Sequence, residues 1–155
     1  MKRLIALLLA VLMLCLAGCG GKDSGADVQM DVQAVYDSMV PVLPEMLPMD
    51  EMMMLNFCGI ESSMCEKAVV SVCFDGLRAD EIWLIEAKDA ASLENLKNLA
   101  QSRLNRKGEE SITYSPEQYA VVEKAQLLTA GNYLALIVSP DVDALAAAFK
   151  AEAGL

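Results

Sequence analysis

The 155-residue chain contains no histidine, and this absence removes several kinds of chemistry at once. Without imidazole there is no Ser-His-Asp or Cys-His catalysis, no histidine proton shuttle and no histidine-based metal site. Basic residues are also scarce, because 12 lysines and arginines stand against 22 aspartates and glutamates, for a net charge of −10. Nucleic-acid binding needs a basic surface, so the composition argues against a nucleic-acid partner.

Recognisable catalytic motifs are missing as well. The chain has no Gly-rich phosphate loop, no Gly-x-Ser-x-Gly sequence and no calcium-loop pattern, and its carboxylates are dispersed rather than paired. Aromatic residues make up 5% of the chain, and we expect them to pack rather than to form a sugar-stacking platform. We therefore expect a non-enzymatic protein without a cofactor. Its length and its 55% apolar content predict one folded domain.

The N-terminus has the layout of an export signal. Met1-Lys2-Arg3 precedes an uncharged apolar run at 4–17, which is shorter than the roughly 20 residues of a membrane-spanning helix. Leu16-Ala17-Gly18-Cys19 then resembles a bacterial lipoprotein box, with cleavage between Gly18 and Cys19 and a diacylglycerol thioether on the Cys19 sulfur. The alternative is an ordinary signal peptide with a chance cysteine.

This interpretation divides the chain into three parts. Residues 1–18 are the signal peptide, 19–26 are the lipidated cysteine and a flexible spacer, and 27–155 are a single α+β domain. Two acyl chains give stable membrane anchoring, so the domain is expected on the extracytoplasmic face of the cell membrane. Loss of the signal peptide leaves 10 basic and 22 acidic residues. A domain this acidic is repelled by anionic lipid, which makes the anchor necessary.

Hydrophobic periodicity predicts an N-terminal helix followed by two ββα units. The first helix should end near Val40, before three prolines, and Asp50 should cap a short helix at 51–57 that Gly59 closes. The apolar stripe of the first helix is Val28, Val32, Val35 and Met39, with Met46 as a further candidate.

Each ββα unit is predicted as two strands and a capped helix. The strands are expected at 68–74 with 81–86, and at 126–129 with 133–138, with helices after Asp89 and Asp141. The first of these helices should end near Gly108, and Ser115-Pro116 should open a short turn of helix. We expect a four-stranded, mostly antiparallel sheet with helices on one face. A 52-residue offset aligns the two units, which indicates either an internal repeat or the chance similarity of two ββα units.

Sulfur-containing residues cluster before and within the first predicted strand. Cys58 and Cys65 flank a loop and are candidates for a disulfide, a metal site or unpaired thiols, whereas Cys73 is expected to be buried in a strand. Clustered thioethers in an exported protein favour Cu(I), although methionines also pack irregular cores and form adaptable contact surfaces. The candidate ligand or metal residues are Met49, Met52, Met53 and Met54.

The whole chain resembles a family of small lipoproteins from Gram-positive anaerobes that is known only as a domain of unknown function. The matching stretches are Leu16-Ala17-Gly18-Cys19, Val35-Tyr36-Asp37-Ser38-Met39, Leu43-Pro44-Glu45-Met46, Asp80-Glu81-Ile82 through Asp89-Ala90, Pro116-Glu117-Gln118-Tyr119 and Gly131-Asn132-Tyr133. The resemblance implies lipidation, an extracytoplasmic location and the two-unit α+β fold, and it brings no active site with it.

Two functions remain as expectations. The first is a lipid-anchored, non-enzymatic binding or accessory module at the cell surface, with an unknown protein or small molecule as its partner. The second is extracytoplasmic copper or thiol-redox handling through the Met- and Cys-rich segment 46–65.

Overall fold

The computed structural model describes residues 28–155. The expected signal peptide, the cleavage point at Gly18 and Cys19, and the lipidated spacer all lie outside the described residues. The described part combines helices with one sheet, so the expected α+β class is confirmed. None of the helices between Val28 and Leu155 is long and apolar enough to cross a bilayer.

In the described residues, five antiparallel strands form one sheet in the order β1-β2-β3-β5-β4. The two expected hairpins, β2–β3 and β4–β5, are confirmed, and their inner strands β3 and β5 pair at the centre of the sheet. The strands are β1 (Met46–Pro48), β2 (Cys65–Cys73), β3 (Glu81–Ala87), β4 (Gln126–Ala130) and β5 (Tyr133–Val138).

The expectation of four strands was wrong because β1 escaped the sequence analysis. β1 has only three residues and ends in Pro48, a residue that sheets accept at their edges. Met46 therefore lies in this edge strand, opposite Cys73, and does not extend the first helix. A three-residue strand carries too little periodicity to be recognised from sequence alone.

Between residues 28 and 155, five α-helices accompany the sheet. They are α1 (Val32–Met39), α2 (Glu51–Met53), α3 (Ala90–Tyr114), α4 (Pro116–Glu123) and α5 (Val142–Ala153). Helix α2 continues directly into a π-helical turn, Met54–Cys58, and Gly59 ends that turn with a left-handed φ of 74°. Only glycine adopts this conformation without strain, which explains why the segment stops where the sequence predicted.

Side-chain caps start four of these helices, and three of the caps, Asp50, Asp89 and Ser115, were predicted from the sequence. The cap at Asp31 was not predicted, and the expectation that Asp141 caps α5 was wrong, because its side chain makes no capping hydrogen bond. The carboxylates of Asp31, Asp50 and Asp89 accept backbone N–H groups at 3.0, 2.8 and 2.7 Å, and the hydroxyl of Ser115 accepts one at 3.4 Å. The expected end of α3 near Gly108 was wrong, because the helix continues to Tyr114. A single glycine costs a helix only about 1 kcal/mol, whereas the residue before Pro116 is driven out of the helical region.

Helices cover both faces of the sheet, so the expectation of helices on one face was wrong. On the first face α1 and α5 pack on Ile82, Leu84 and Ile137, and we call it the α1/α5 face. On the second face the π-helical turn, α3 and α4 pack on Trp83 and Leu136, and we call it the α3/α4 face. Strands β3 and β5 are apolar at almost every position, which is the pattern of strands buried on both sides.

The 52-residue offset does not correspond to a symmetry of the fold. It aligns Leu84, on the α1/α5 face, with Leu136, on the α3/α4 face, and it likewise exchanges the faces of Ile85 and Ile137. If the two hairpins were related by a two-fold axis, that axis would be perpendicular to the sheet. Each residue and its symmetry-related residue would then lie on the same face, which is not the case for these pairs. The two units are therefore similar in order but not in placement.

The two ends of the sheet have different roles. At one end, called here the entry end, the Met30 N–H donates to the Tyr133 hydroxyl at 3.2 Å and Val28 lies beside Gly131 in the β4–β5 turn. At the opposite end, called the distal end, the α1–β1 connection, the β2–β3 turn and the α3–α4 junction meet. The five steps of β5 from Tyr133 to Val138 separate the two ends by about 17 Å.

Candidate functional site

The sulfur-rich segment is only partly assembled into a cluster. The Cys58 thiol lies 3.8 Å from the Met49 thioether sulfur, and both side chains pack on the α3/α4 face together with buried Met54. Met52 is not part of this cluster and is 72% exposed, and Met53 is half-buried. The structure therefore brings together two of the four candidate methionines, Met49 and Met54, with Cys58.

The three cysteines that the structure describes are all free thiols. Cys65, at the start of β2, has its sulfur 3.9 Å from the Glu61 carbonyl oxygen, so the disulfide considered between Cys58 and Cys65 is not formed. Cys73 is buried at the end of β2, as expected. Between residues 28 and 155, no group of three or more cysteine or acidic side chains is placed to hold a metal ion.

Cys58 has the electrostatics of a protonated, unreactive thiol. Burial, reinforced by the negative charge of Glu81, raises the pKa of Cys58 to about 11, although Arg103, Arg106 and Lys107 act in the opposite direction. Because the thiolate is the nucleophile in cysteine chemistry, a thiol with this pKa is a poor candidate for redox or covalent catalysis near neutral pH.

A buried carboxylate next to this cluster joins the sheet to α3. Glu81, at the start of β3, is fully buried and binds Arg103 through a bidentate ion pair with its shortest N–O distance at 2.8 Å. Lys107 lies at the same distance, and the Trp83 indole donates to the carboxylate at 2.7 Å. Burial alone would raise the pKa of Glu81, but the hydrogen bonds and charges of Arg103 and Lys107 outweigh it and lower the pKa.

Glu81 consequently acts as a structural anion. Both of its oxygens are occupied by donors and its exposed fraction is zero, so no proton acceptor is presented to a substrate. This cluster was not predicted from the sequence, although two signals for it are present there. Arg103 and Lys107 are four residues apart and so share one face of α3, and Glu81 directly precedes the apolar run at 82–85 of β3.

A pocket of about 460 Å³ opens on the α1/α5 face, between α1 and the outer strands β1 and β2. Its walls are largely apolar and include Tyr36, Leu43 and Met46, while the Glu45 carboxylate lies at its exposed rim. Ser71 of β2 also lines it, and Ser71 is fully buried. Among the described residues the Ser71 hydroxyl has no hydrogen-bond partner.

The pocket is of a size and character suited to a small ligand. Such sites usually measure about 300–1,000 Å³ and combine apolar walls with a few polar groups. Sequence analysis did not identify it, because its walls come from a helix, a connection and two strands. The available signal was one hydroxyl, Ser71, within the apolar run at 68–74.

Exposed apolar side chains gather at the distal end. A backbone hydrogen bond of 2.8 Å from Phe74 to Glu45 joins the β2–β3 turn to the α1–β1 connection. The Ala79 N–H donates to the Gln118 side chain at 2.8 Å and joins the same turn to α4. The exposed apolar residues on these linked segments are Val40, Val42, Phe74, Leu77, Ile112 and Tyr114. A smaller group, Met52, Leu55 and Phe57, lies on α2 and the π-helical turn.

The fold described above defines the class of the protein, an antiparallel α+β domain with helices on both faces of its sheet. The chain belongs to the family described as Domain of unknown function (DUF4358), which matches residues 40–139. The match includes all five strands and α2, α3 and α4, and it leaves out α1 and α5, the two helices of the α1/α5 face. No curated protein and no solved structure matches the chain.

Proposed function

We propose that this protein is a lipid-anchored, non-enzymatic binding module on the extracytoplasmic face of the cell membrane, and that its distal end contacts a partner protein. The observation that carries the proposal is the group of exposed apolar residues on three linked segments at that end. Contiguous apolar surface on a soluble domain marks interaction sites. Leu77 and Tyr114 are 85% and 88% exposed and line one hollow of about 440 Å³.

The position of the anchor supports this choice of surface. The proposed lipid on Cys19 precedes the spacer, and the described chain enters the domain at Val28, beside the β4–β5 turn. A tether at the entry end leaves the distal end about 17 Å further along the sheet and free to meet a partner. The acidic surface is repelled by anionic lipid, which favours this outward orientation.

The anchor and the partner surface are tested separately. In the first test, Cys19→Ala should abolish acylation and release the protein from the envelope, and acylation of that variant would refute the anchor.

In the second test, a photo-crosslinking amino acid is placed at Leu77 in cells and compared with one at Lys88, an exposed position at the entry end. We expect a discrete adduct from position 77 that disappears when Tyr114 is changed to Ser. The same adducts from positions 77 and 88 would refute the proposed partner surface. So would the absence of any adduct when the crosslinker is placed at Leu77 or, in a separate variant, at Phe74.

Copper binding is a second candidate function, favoured by the 3.8 Å distance between the sulfurs of Met49 and Cys58. Thiolate and thioether ligands select Cu(I), and binding would displace the thiol proton to water. Anaerobic titration of the full chain with Cu(I) should then show one site that is lost in Cys58→Ser and Met49→Leu. Met52→Leu is the matched control, because Met52 is 72% exposed and is not part of the cluster that contains Met49 and Cys58. Equal copper uptake by all three variants would exclude this site.

A further inference from the structure

The pocket on the α1/α5 face carries an inference that is independent of the distal surface. We propose that this pocket binds a small, uncharged or cationic molecule with an apolar body and one hydrogen-bond acceptor, such as a carbonyl, to which the Ser71 hydroxyl donates a hydrogen bond. The central observation is that Ser71 lines the pocket, is fully buried, and has no partner for its hydroxyl among residues 28–155.

An unpartnered buried hydroxyl is costly, and this cost is the reason to look for a ligand. Buried polar groups in folded proteins are almost always hydrogen-bonded, because leaving one unpaired forfeits its hydration without compensation. The neighbouring residues of β2, Val69 and Val70, are apolar, and an alanine at position 71 would fit the same strand. A ligand acceptor in the pocket would supply the missing bond.

The surroundings of Ser71 specify the rest of the ligand. Tyr36, Leu43, Met46 and Val69 offer apolar contact, which requires an apolar body. None of the described residues that line the pocket is Lys or Arg, and the only charged side chain among them is the carboxylate of Glu45 at the rim. This arrangement, on a chain with a net charge of −10, disfavours an anion and accepts a neutral molecule or a cation.

Photolabelling with benzophenone tests the site, because this neutral probe has two apolar rings and a single carbonyl acceptor. The full chain in native envelopes is irradiated with the probe, and the labelled peptides are identified by mass spectrometry. We expect adducts on the peptides that contain Tyr36 and Met46. Exposed Met52 is the internal reference, because it reports labelling that needs no pocket.

Two variants and one control decide the role of the hydroxyl and of the cavity. Ser71→Ala should lower labelling of Met46 about fivefold, the value of one neutral hydrogen bond, and Val69→Phe should block the cavity and remove the adduct. Ser38→Ala is the matched control, because the Ser38 hydroxyl on α1 already donates to the Val35 carbonyl at 2.7 Å. Labelling of Met46 that is unchanged in Ser71→Ala, or labelling spread evenly over the exposed surface, would overturn the proposal.

Charged forms of the probe test the ligand class. Benzophenone-4-carboxylate should label Met46 several-fold less than benzophenone, and a trimethylammonium-methyl derivative should label it at least as well. Equal labelling by the carboxylate would overturn the assignment of an uncharged or cationic ligand.

Discussion

Arg103 of α3 binds both oxygens of Glu81, which is fully buried at the start of β3, with a shortest distance of 2.8 Å. This ion pair fixes the longest helix of the domain on the central strand. Glu81 and Arg103 are also close enough to Cys58 to affect the pKa of its thiol. Lys107 and Trp83 complete the set of donors around the carboxylate.

The first prediction concerns the stability that this pair confers. Arg103→Met should lower the free energy of unfolding by about 3 kcal/mol, because it leaves the buried Glu81 carboxylate with fewer donors. The exposed pair of Lys97 with Glu94 offers a matched control, and Lys97→Met should cost less than about 0.5 kcal/mol. Urea unfolding of the three proteins measures both values. Equal losses in the two variants would contradict a structural role for Glu81.

The second prediction concerns pH. The folded state lowers the pKa of Glu81, so its contribution is fully present above the unfolded-state pKa of about 4.3 and is lost as the pH falls through the lower folded-state pKa. In acid, unfolding of the wild type should take up as much as one more proton than unfolding of Glu81→Gln. The free energy of unfolding should therefore rise with pH more steeply in the wild type, by up to about 1.4 kcal/mol per pH unit. Equal slopes for the wild type and Glu81→Gln would contradict the lowered pKa of Glu81.

The third prediction concerns the thiols. With the pKa of Cys58 raised to about 11 by burial, iodoacetamide at pH 8 should leave Cys58 unmodified in the folded protein and alkylate it after unfolding. Mass spectrometry of the alkylated protein gives the extent at each site. If the mass of the denatured, unalkylated protein is two hydrogens below the value expected for three free thiols, the protein contains a disulfide. Rapid alkylation of Cys58 in the folded protein would contradict its burial.

The fourth prediction concerns Ser71 in the absence of ligand. Ser71→Ala should raise the free energy of unfolding by about 1 kcal/mol, because it removes a buried hydroxyl that has no partner. Most core substitutions destabilise, so the sign of the effect is diagnostic. Ser38→Ala should change stability by less than about 0.5 kcal/mol, since the lost hydrogen bond is offset by the better helix propensity of alanine. A destabilised Ser71→Ala protein would indicate a partner for the hydroxyl.

Local chemistry accounts for what could be predicted about the fold. The caps at Asp50, Asp89 and Ser115 and the left-handed Gly59 act on their own neighbours, so short sequence patterns were sufficient to locate them. The two hairpins were likewise predictable from β-branched runs and turn residues. The failures of local prediction included β1, which is too short to show a period, the end of α3, where a single glycine was given too much weight, and the cap expected at Asp141. The expectation of helices on one face failed for a different reason, because it depends on long-range packing.

The candidate sites were less predictable, because each one joins distant parts of the chain. The cysteines and methionines were visible as a group, but sequence spacing did not show that Cys58 meets Met49 while Met52 faces solvent. Glu81 and Arg103 are 22 residues apart, and their contact exists only because α3 folds back along β3. The pocket of Ser71 required the packing of α1 against the sheet edge.

By itself, the sequence determined four of the five described strands, most of the described helix ends, and the absence of histidine chemistry, because these properties depend on residue identity and near neighbours. The tertiary structure decided which face of the sheet each helix covers, which sulfurs meet, and that one serine hydroxyl is buried without a partner. Strands buried on both sides, such as β3 and β5, have no polar face in their sequence, so only long-range packing distinguishes the two faces.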